Sequence, residues 1–203
     1  MKRISGLLSA LAAFVFLASC AAVPAQTVTL APDIKAPTGN VGKGKSLAFK
    51  VIDGRADKVV GYRNADGSRT APIMVQGDLS APVGEAAARV LSELGFVPAP
   101  FKDGAPLSLT ITVRELGYNA AAATVTRKVS VRCVLSARVV NGAGNWEGTF
   151  PVGQEKEMVT VPGEADNARF LNDALSESLS MLLSDPELVQ YLGHDPFQAK
   201  IVK

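Results

Sequence analysis

The sequence predicts an α+β domain: a mostly antiparallel sheet with two long helices packed on one face, a two-layer sandwich, followed by a short C-terminal helix. Three observations predict it. Several segments alternate apolar with polar residues, so each strand has one face for a core and one for water. Two other segments repeat apolar residues at helical spacing, so each helix owns a single buried stripe. Two stripes and one sheet face close the count in two layers, which leaves the opposite sheet face open to solvent or a partner.

The elements follow in order. Met1-Lys2-Arg3 precede an uncharged apolar run from Ile4 to Leu17, the pattern of a secretory signal and too short to span a bilayer, which takes ~20 residues. The run exits through Leu17-Ala18-Ser19-Cys20, so residues 1–19 read as a lipoprotein signal peptide and Cys20 as the lipidation site. Residues 20–45 read as lipidated cysteine and flexible tether, spaced by Pro24, Pro32 and Pro37, in which Thr27-Val28-Thr29-Leu30 can form a short edge strand. Residues 46–203 form the α+β domain.

Within it Leu47, Phe49 and Val51 alternate through a strand over 46–53. The Gly-, Asp- and Arg-rich stretch from Gly54 to Asp78 reads as a long loop with one apolar run, Ile73-Met74-Val75. A helix follows: Ser80 is placed to cap it, Pro82 fits the first turn, and Val83, Ala87, Val90, Leu91 and Leu94 form its stripe. Gly95 supplies a left-handed stop with Phe96 set against Leu91. Leu107, Leu109, Ile111 and Val113 mark the clearest strand, and Val125, Val129, Val131, Cys133, Leu135, Ala137 and Val139 one face of the next. Asn141-Gly142-Ala143-Gly144 turns that strand into a hairpin through Trp146, Gly148, Phe150 and Val152. Ala168, Leu171, Leu175, Leu179 and Leu182 define the second helix from about Asp166, and Asp185-Pro186 starts a last short helix that Gly193 ends.

Composition excludes more chemistry than it offers. Without the signal peptide, which takes Lys2 and Arg3 with it, 19 basic side chains face 19 acidic ones, so no excess charge draws nucleic acid. One histidine, His194, and two cysteines rule out most zinc sites, haem pairs and disulfide scaffolds. With Cys20 lipidated, Cys133 has no partner in the chain and reads as a small core residue. Gly39-Asn40-Val41-Gly42-Lys43-Gly44-Lys45-Ser46 matches the phosphate-binding pattern G-x-x-x-x-G-K-[ST], carried by Gly39, Gly44, Lys45 and Ser46. That chemistry needs a buried strand before the loop and a helix N-terminus after it. Here a proline-spaced stretch precedes it and a strand follows, so it reads as a decoy, with no nucleotide and no other cofactor or metal implied. His194 sits in a solvated turn, and no G-x-S-x-G elbow presents a nucleophile.

Two surface features carry functional expectations. Lys50, Arg114, Lys128, Arg132 and Arg138 occupy polar positions of the strands, interleaved with Ser and Thr, and on adjacent strands would form a cationic face for an anionic glycan, a lipid headgroup or an envelope protein. Asp53 and Arg55 stand two apart at a strand end, where an acid near Asp53 could alternatively serve a cell-wall-modifying hydrolase.

The lipobox at Cys20, Thr27 to Pro32, Val51-Ile52-Asp53-Gly54-Arg55, Leu91 to Phe96, the alternation from Leu107 to Leu116 and the closing helix through Leu192 together resemble the YajG-type bacterial lipoproteins. The resemblance covers essentially the whole mature chain and carries no catalytic signature. It implies a membrane-anchored, non-enzymatic periplasmic protein with a binding or accessory role at the envelope. The lipidated cysteine, followed by Ala21 rather than aspartate, points to the outer membrane.

Overall fold

In the computed structural model, which describes residues 23–35 and 38–194, the elements run β1 (Gln26–Val28), β2 (Ser46–Asp53), β3 (Val59–Tyr62), β4 (Pro72–Val75), α1 (Ser80–Glu93), β5 (Val97–Pro100), β6 (Leu107–Ala122), β7 (Arg127–Asn141), β8 (Gly144–Met158), α2 (Glu164–Leu183) and α3 (Pro186–Gly193). The expected signal peptide at residues 1–19 and the expected lipidation site Cys20 lie outside the described residues. Eight strands form one sheet organised around β6, which is 16 residues long. One edge of β6 pairs antiparallel with β7 along its whole length, and β7 pairs in turn with β8. The other edge is shared. Its first half takes β2, flanked by β5, and its second half takes β3, followed by β4 and β1.

Four of the seven strand pairings are parallel (β1–β4, β2–β5, β2–β6 and β3–β6), so the mostly antiparallel sheet expected from the sequence is corrected to a mixed one. Alternation reports which face a residue occupies and carries no information on strand direction. Direction follows from the connections: β2 reaches β5 by way of β3, β4 and α1, a long crossover that returns the chain parallel. The expected pair of long helices is also corrected, because α2 spans 20 residues and α1 only 14.

The core lies under one face. Leu109, Ile111, Val131 and Leu135 from the long strands, Val83 and Leu91 from α1, and Leu171, Leu175 and Leu179 from α2 are all fully or almost fully buried in one cluster. Cys133 is among them, and burial pushes its thiol up to about 12. A β-bulge keeps β6 in phase with this core. Val113 and Glu115 oppose consecutive residues of β7, so Arg114 is the extra residue. Below the bulge odd positions face inward; above it Leu116, Tyr118 and Ala120 do. Val125, expected on the inward face of β7, is 83% exposed in the turn before that strand.

Helix ends follow the expected chemistry with one exchange. Gly95 adopts φ +83°, and the Phe96 N–H donates to Leu91 O at 3.0 Å, closing α1 as a Schellman motif. At the other end Ser80 is the first helical residue rather than the cap. Leu79 holds the cap position without a side-chain bond, and the Asp78 carboxylate before it accepts from the Ser80 N–H at 2.9 Å and the Ser80 hydroxyl at 2.7 Å. Asp185 accepts from the Leu188 N–H at 2.8 Å to cap α3.

The described part of the segment expected as tether is folded onto the domain. β1 adds to β4, Val28 and Leu30 are buried, and residues 31–35 run extended along α2. There the N–H groups of Ala31, Asp33 and Lys35 donate to Asn172 Oδ1, Ser176 Oγ and Ser180 Oγ at 2.7, 2.9 and 3.1 Å. The spacings interlock: alternate residues of an extended chain advance about 6.8 Å, and successive acceptors four apart on a helix about 6 Å. The prolines that mark a spacer in the sequence equally suit an extended strip with only alternate N–H groups engaged.

Replacing Asn172, Ser176 and Ser180 together by alanine is expected to lower stability by about 2 kcal/mol, given ~1 kcal/mol per hydrogen bond discounted for exposure. The urea unfolding midpoint reads the loss. Amide hydrogens of Ala31, Asp33 and Lys35 should exchange faster while those of β6 do not.

Candidate functional site

The side of the sheet away from the helices is uncovered. Outward positions of β6 supply Ser108, Thr110 and Thr112, β7 supplies Ser136, and β8 supplies Thr149, all on the wall of one concavity of about 590 Å³. Lys50, Arg114 and Arg138 line the same concavity, together with Phe101 from beyond β5. Its surface therefore combines a hydroxyl strip with cations at its margins, Glu147 beside Arg138, and the apolar Ile52 and Val140.

The five cations expected on this face are not equivalent. Lys128 pairs with Glu155 at 2.7 Å, Arg132 with Glu115 at 3.0 Å and Arg138 with Glu147 at 3.4 Å, all between exposed side chains. Among the described residues Lys50 and Arg114 meet no carboxylate. Lys50 Nζ sits 3.6 Å from the centre of the Phe101 ring, and Arg114 Nε donates to the Ser136 hydroxyl at 2.9 Å. The structure brings Lys50, Arg114 and Arg138 together around the concavity and leaves Arg132 on another part of the sheet, beside Gly117, Tyr118 and Ser130. Sequence reasoning found the cations and the Ser and Thr residues between them but missed Phe101 and the three carboxylates. A signal for two of them existed: the Asn141–Gly144 turn fixes a register that sets Glu147 opposite Arg138 and Glu155 opposite Ser130, diagonal to Lys128.

The bulge creates the distinction. Without an inserted residue, consecutive positions of β6 would point to opposite faces. With it, Arg114 and Glu115 both stand exposed, Glu115 occupied with Arg132 and Arg114 free to reach Ser136.

Asp53 and Arg55 lie where β2 ends and the edge of β6 passes to β3. The Arg55 guanidinium forks onto the Asp53 carboxylate, Nε to Oδ1 at 2.9 Å and Nη2 to Oδ2 at 3.0 Å, while Lys58 Nζ adds a bond of 2.7 Å. The Arg55 and Asp53 side chains are only 5% and 10% exposed. Arg55 Nη1 is buried with no hydrogen-bond partner, so the fork alone holds the guanidinium. These bonds, those from Arg55 first, hold the Asp53 carboxyl well below the usual carboxylate range against the opposing effect of burial. A carboxylate so firmly ionised donates no proton, and its oxygens are occupied by cations.

The glycine-rich decoy has a structural use. N–H groups of Gly42 and Gly44 donate to Leu94 O and Gly95 O at 2.8 and 2.7 Å, wrapping the C-terminal end of α1. Lys45 Nζ donates to the carbonyls of Gly193 and His194 at 2.9 and 3.2 Å, at the C-terminal end of α3. The loop therefore faces the negative ends of two helices, the opposite of the environment a phosphate requires. His194 is exposed, its carbonyl shared by Lys45 and Asn141 Nδ2.

Comparison with known proteins yields a family and a fold. Residues 32–193 match the model of the Lipoprotein_16 family, described as uncharacterised lipoprotein. A crystal structure of a Xanthomonas campestris protein assigned to DUF330 is similar, with 14% identity, a TM-score of 0.54, and 77% of this chain and 93% of that one covered. A second crystal structure, of an uncharacterised protein, is similar with 14% identity, a TM-score of 0.50, and 79% and 97% of the two chains covered. At these identities the likeness is one of fold. No curated protein matches the chain.

The Asp53–Arg55 pair generates a pH signature. Its carboxyl titrates lower in the folded chain than its ordinary 3.8, so the stabilisation is complete above that value and declines as acid is added below it. Wild type should hold a constant lead over Asp53→Asn above about pH 5 and lose it progressively once the pH falls below 3.8, as read by urea unfolding. Arg55→Leu, which leaves the buried Asp53 carboxylate only the exposed Lys58 as its cation, should cost about 2–3 kcal/mol at neutral pH.

Proposed function

The chain belongs to the Lipoprotein_16 family of uncharacterised lipoproteins, and on that premise we propose that it is a non-enzymatic binding or accessory protein of the cell envelope. It is anchored by a lipid on Cys20, faces the periplasm from the outer membrane, and takes an anionic envelope glycan on the open face of its sheet. The observation that carries this reading is the concavity of about 590 Å³ whose wall combines five hydroxyls with two cations, Lys50 and Arg114, that meet no carboxylate.

The chemistry matches in kind. Sugar hydroxyls exchange hydrogen bonds with Ser and Thr, which both donate and accept. Phosphate or carboxylate groups on the glycan meet Arg114 and Lys50, and a charge-assisted hydrogen bond contributes about 1.5–3 kcal/mol. Phe101 holds Lys50 by its ring face. The rival reading, a hydrolase acting through Asp53, needs either a carboxyl that holds a proton near neutral pH as an acid or carboxylate oxygens free to act as base or nucleophile. The clamp of Arg55 and Lys58 works against it.

Two measurements test the reading separately. Cys20→Ala should move the protein from the membrane to the soluble fraction. Pull-down on immobilised lipopolysaccharide and on peptidoglycan sacculi should recover wild type in a salt-sensitive manner, with Lys50→Ser/Arg114→Ser weakened at least about tenfold, since 1.4 kcal/mol is a factor of ten. Equal recovery of wild type and the double variant on both matrices overturns the binding face. Arg132→Ser, away from the concavity, should bind as wild type does.

A further inference from the structure

We propose that one end of the domain, formed by the turn between β6 and β7 and the chain leaving β8, rests on the lipid bilayer, with Val125 and Val159 entering its interfacial zone. The inference rests on the lipid anchor at Cys20 proposed above and adds which surface meets the membrane.

Covalent reach is the first argument. Arg63 Nη1 donates to the Pro24 carbonyl at 2.9 Å and Nη2 to the Pro162 carbonyl at 3.4 Å, so one guanidinium holds the chain entering the domain beside the chain leaving β8. Cys20 precedes Pro24 by four residues. A chain spans at most ~3.6 Å per residue, so the lipidated residue lies within about 14 Å of that corner. Val23 lines a concavity there with Arg63, Ala122, Arg127 and Val161. Acyl chains starting so close to the corner leave it no room to stand clear of the headgroups.

The surface at that corner is the second argument. Val125 and Val159 are each 83% exposed, whereas the other exposed large apolar side chains of the described residues reach no more than 55%. Register puts the two together: Arg127, two residues after Val125, pairs with Met158, the residue before Val159. Val161 follows, 40% exposed. A branched apolar side chain in a turn gains nothing from water, but in a bilayer interface it buries its surface. Arg127 and Lys128 flank the valines with charge for anionic headgroups, set against Asp66, which faces Arg127, and Glu155, which takes Lys128. The apolar pair therefore supplies the contact, and the small charge balance only orients it.

The test uses the full chain, lipidated in cells, purified from membranes and reconstituted into vesicles of phosphatidylethanolamine and phosphatidylglycerol. Single cysteines replacing Val125, Val159, Val97 or Met181 carry an environment-sensitive fluorophore, with Cys133 buried and unreactive. Intact mass reports the modification of Cys20 in the same samples. The expected result is a blue shift at 125 and 159, quenched by spin-labelled lipid, and neither effect at 97, at the opposite end of the sheet, or at 181. A lipidated protein whose labels at 125 and 159 are quenched no more than the label at 97 overturns the docking surface and leaves the anchor standing. An unmodified Cys20 overturns both.

Discussion

The backbone hydrogen bonding of β6 on both its edges is the constraint from which the rest of the molecule follows. One edge is committed to β7 over its whole length. The other is divided between β2 and β3, and the division needs a device at the joint. The Gly54 N–H continues the ladder to Val113 O at 3.0 Å, and Arg55 turns back to seize Asp53. The buried ion pair thus reads as the fastening of a joint between two half-edges. Breaking either half would leave unpaired N–H and C=O groups in the middle of a sheet, where water cannot easily replace them.

Only one face of that sheet carries a core, and this asymmetry gives the protein its two characters. Inward positions form a single apolar cluster sealed by α1, α2 and the extended strip at residues 31–35. Outward positions stay wet and hold cross-strand charge pairs that bind little energy individually but keep like charges apart. Sheet edges are blunted by proline: β5 carries Pro98 and Pro100, and β8 carries Pro151. A sheet open on one face, with proline on two of its edge strands, is suited to presenting side chains more than to pairing backbone.

Legibility in the sequence tracked the strength of local signals. β2 was readable to its ends because alternation is bounded by a Gly-rich run on one side and Gly54 on the other. The hairpin, the Schellman stop at Gly95 and the Asp185 cap were readable because each depends on residues within a few positions. β3, β4 and β5 were not: each has four residues, too few for a period, and their stability comes from partners distant in sequence. The alternation was legible from Leu107 to Leu116, but the bulge at Arg114 and the continuation of β6 to Ala122 carry no local signal. The same limit applies to the site. Residue types on the open face could be read, and the hairpin register hinted at two counterions on β8. The pairing of Arg132 with Glu115 depends instead on the bulge in β6 and on the β6–β7 register, which no local signal gives.

The strip at residues 31–35 has a consequence for the order of events during folding. Its acceptors on α2 lie 141 to 145 residues further along the chain. Contacts of such high order form late, after the closing loop entropy has been met by other structure. A strip that lies near the start of the described chain is therefore among the last parts able to dock. Until α2 is in place, residues 31–35 lack the side chains that accept from their N–H groups. Once it is in place, the strip is pinned along the helix, and an early part of the sequence becomes the closing seam of the core.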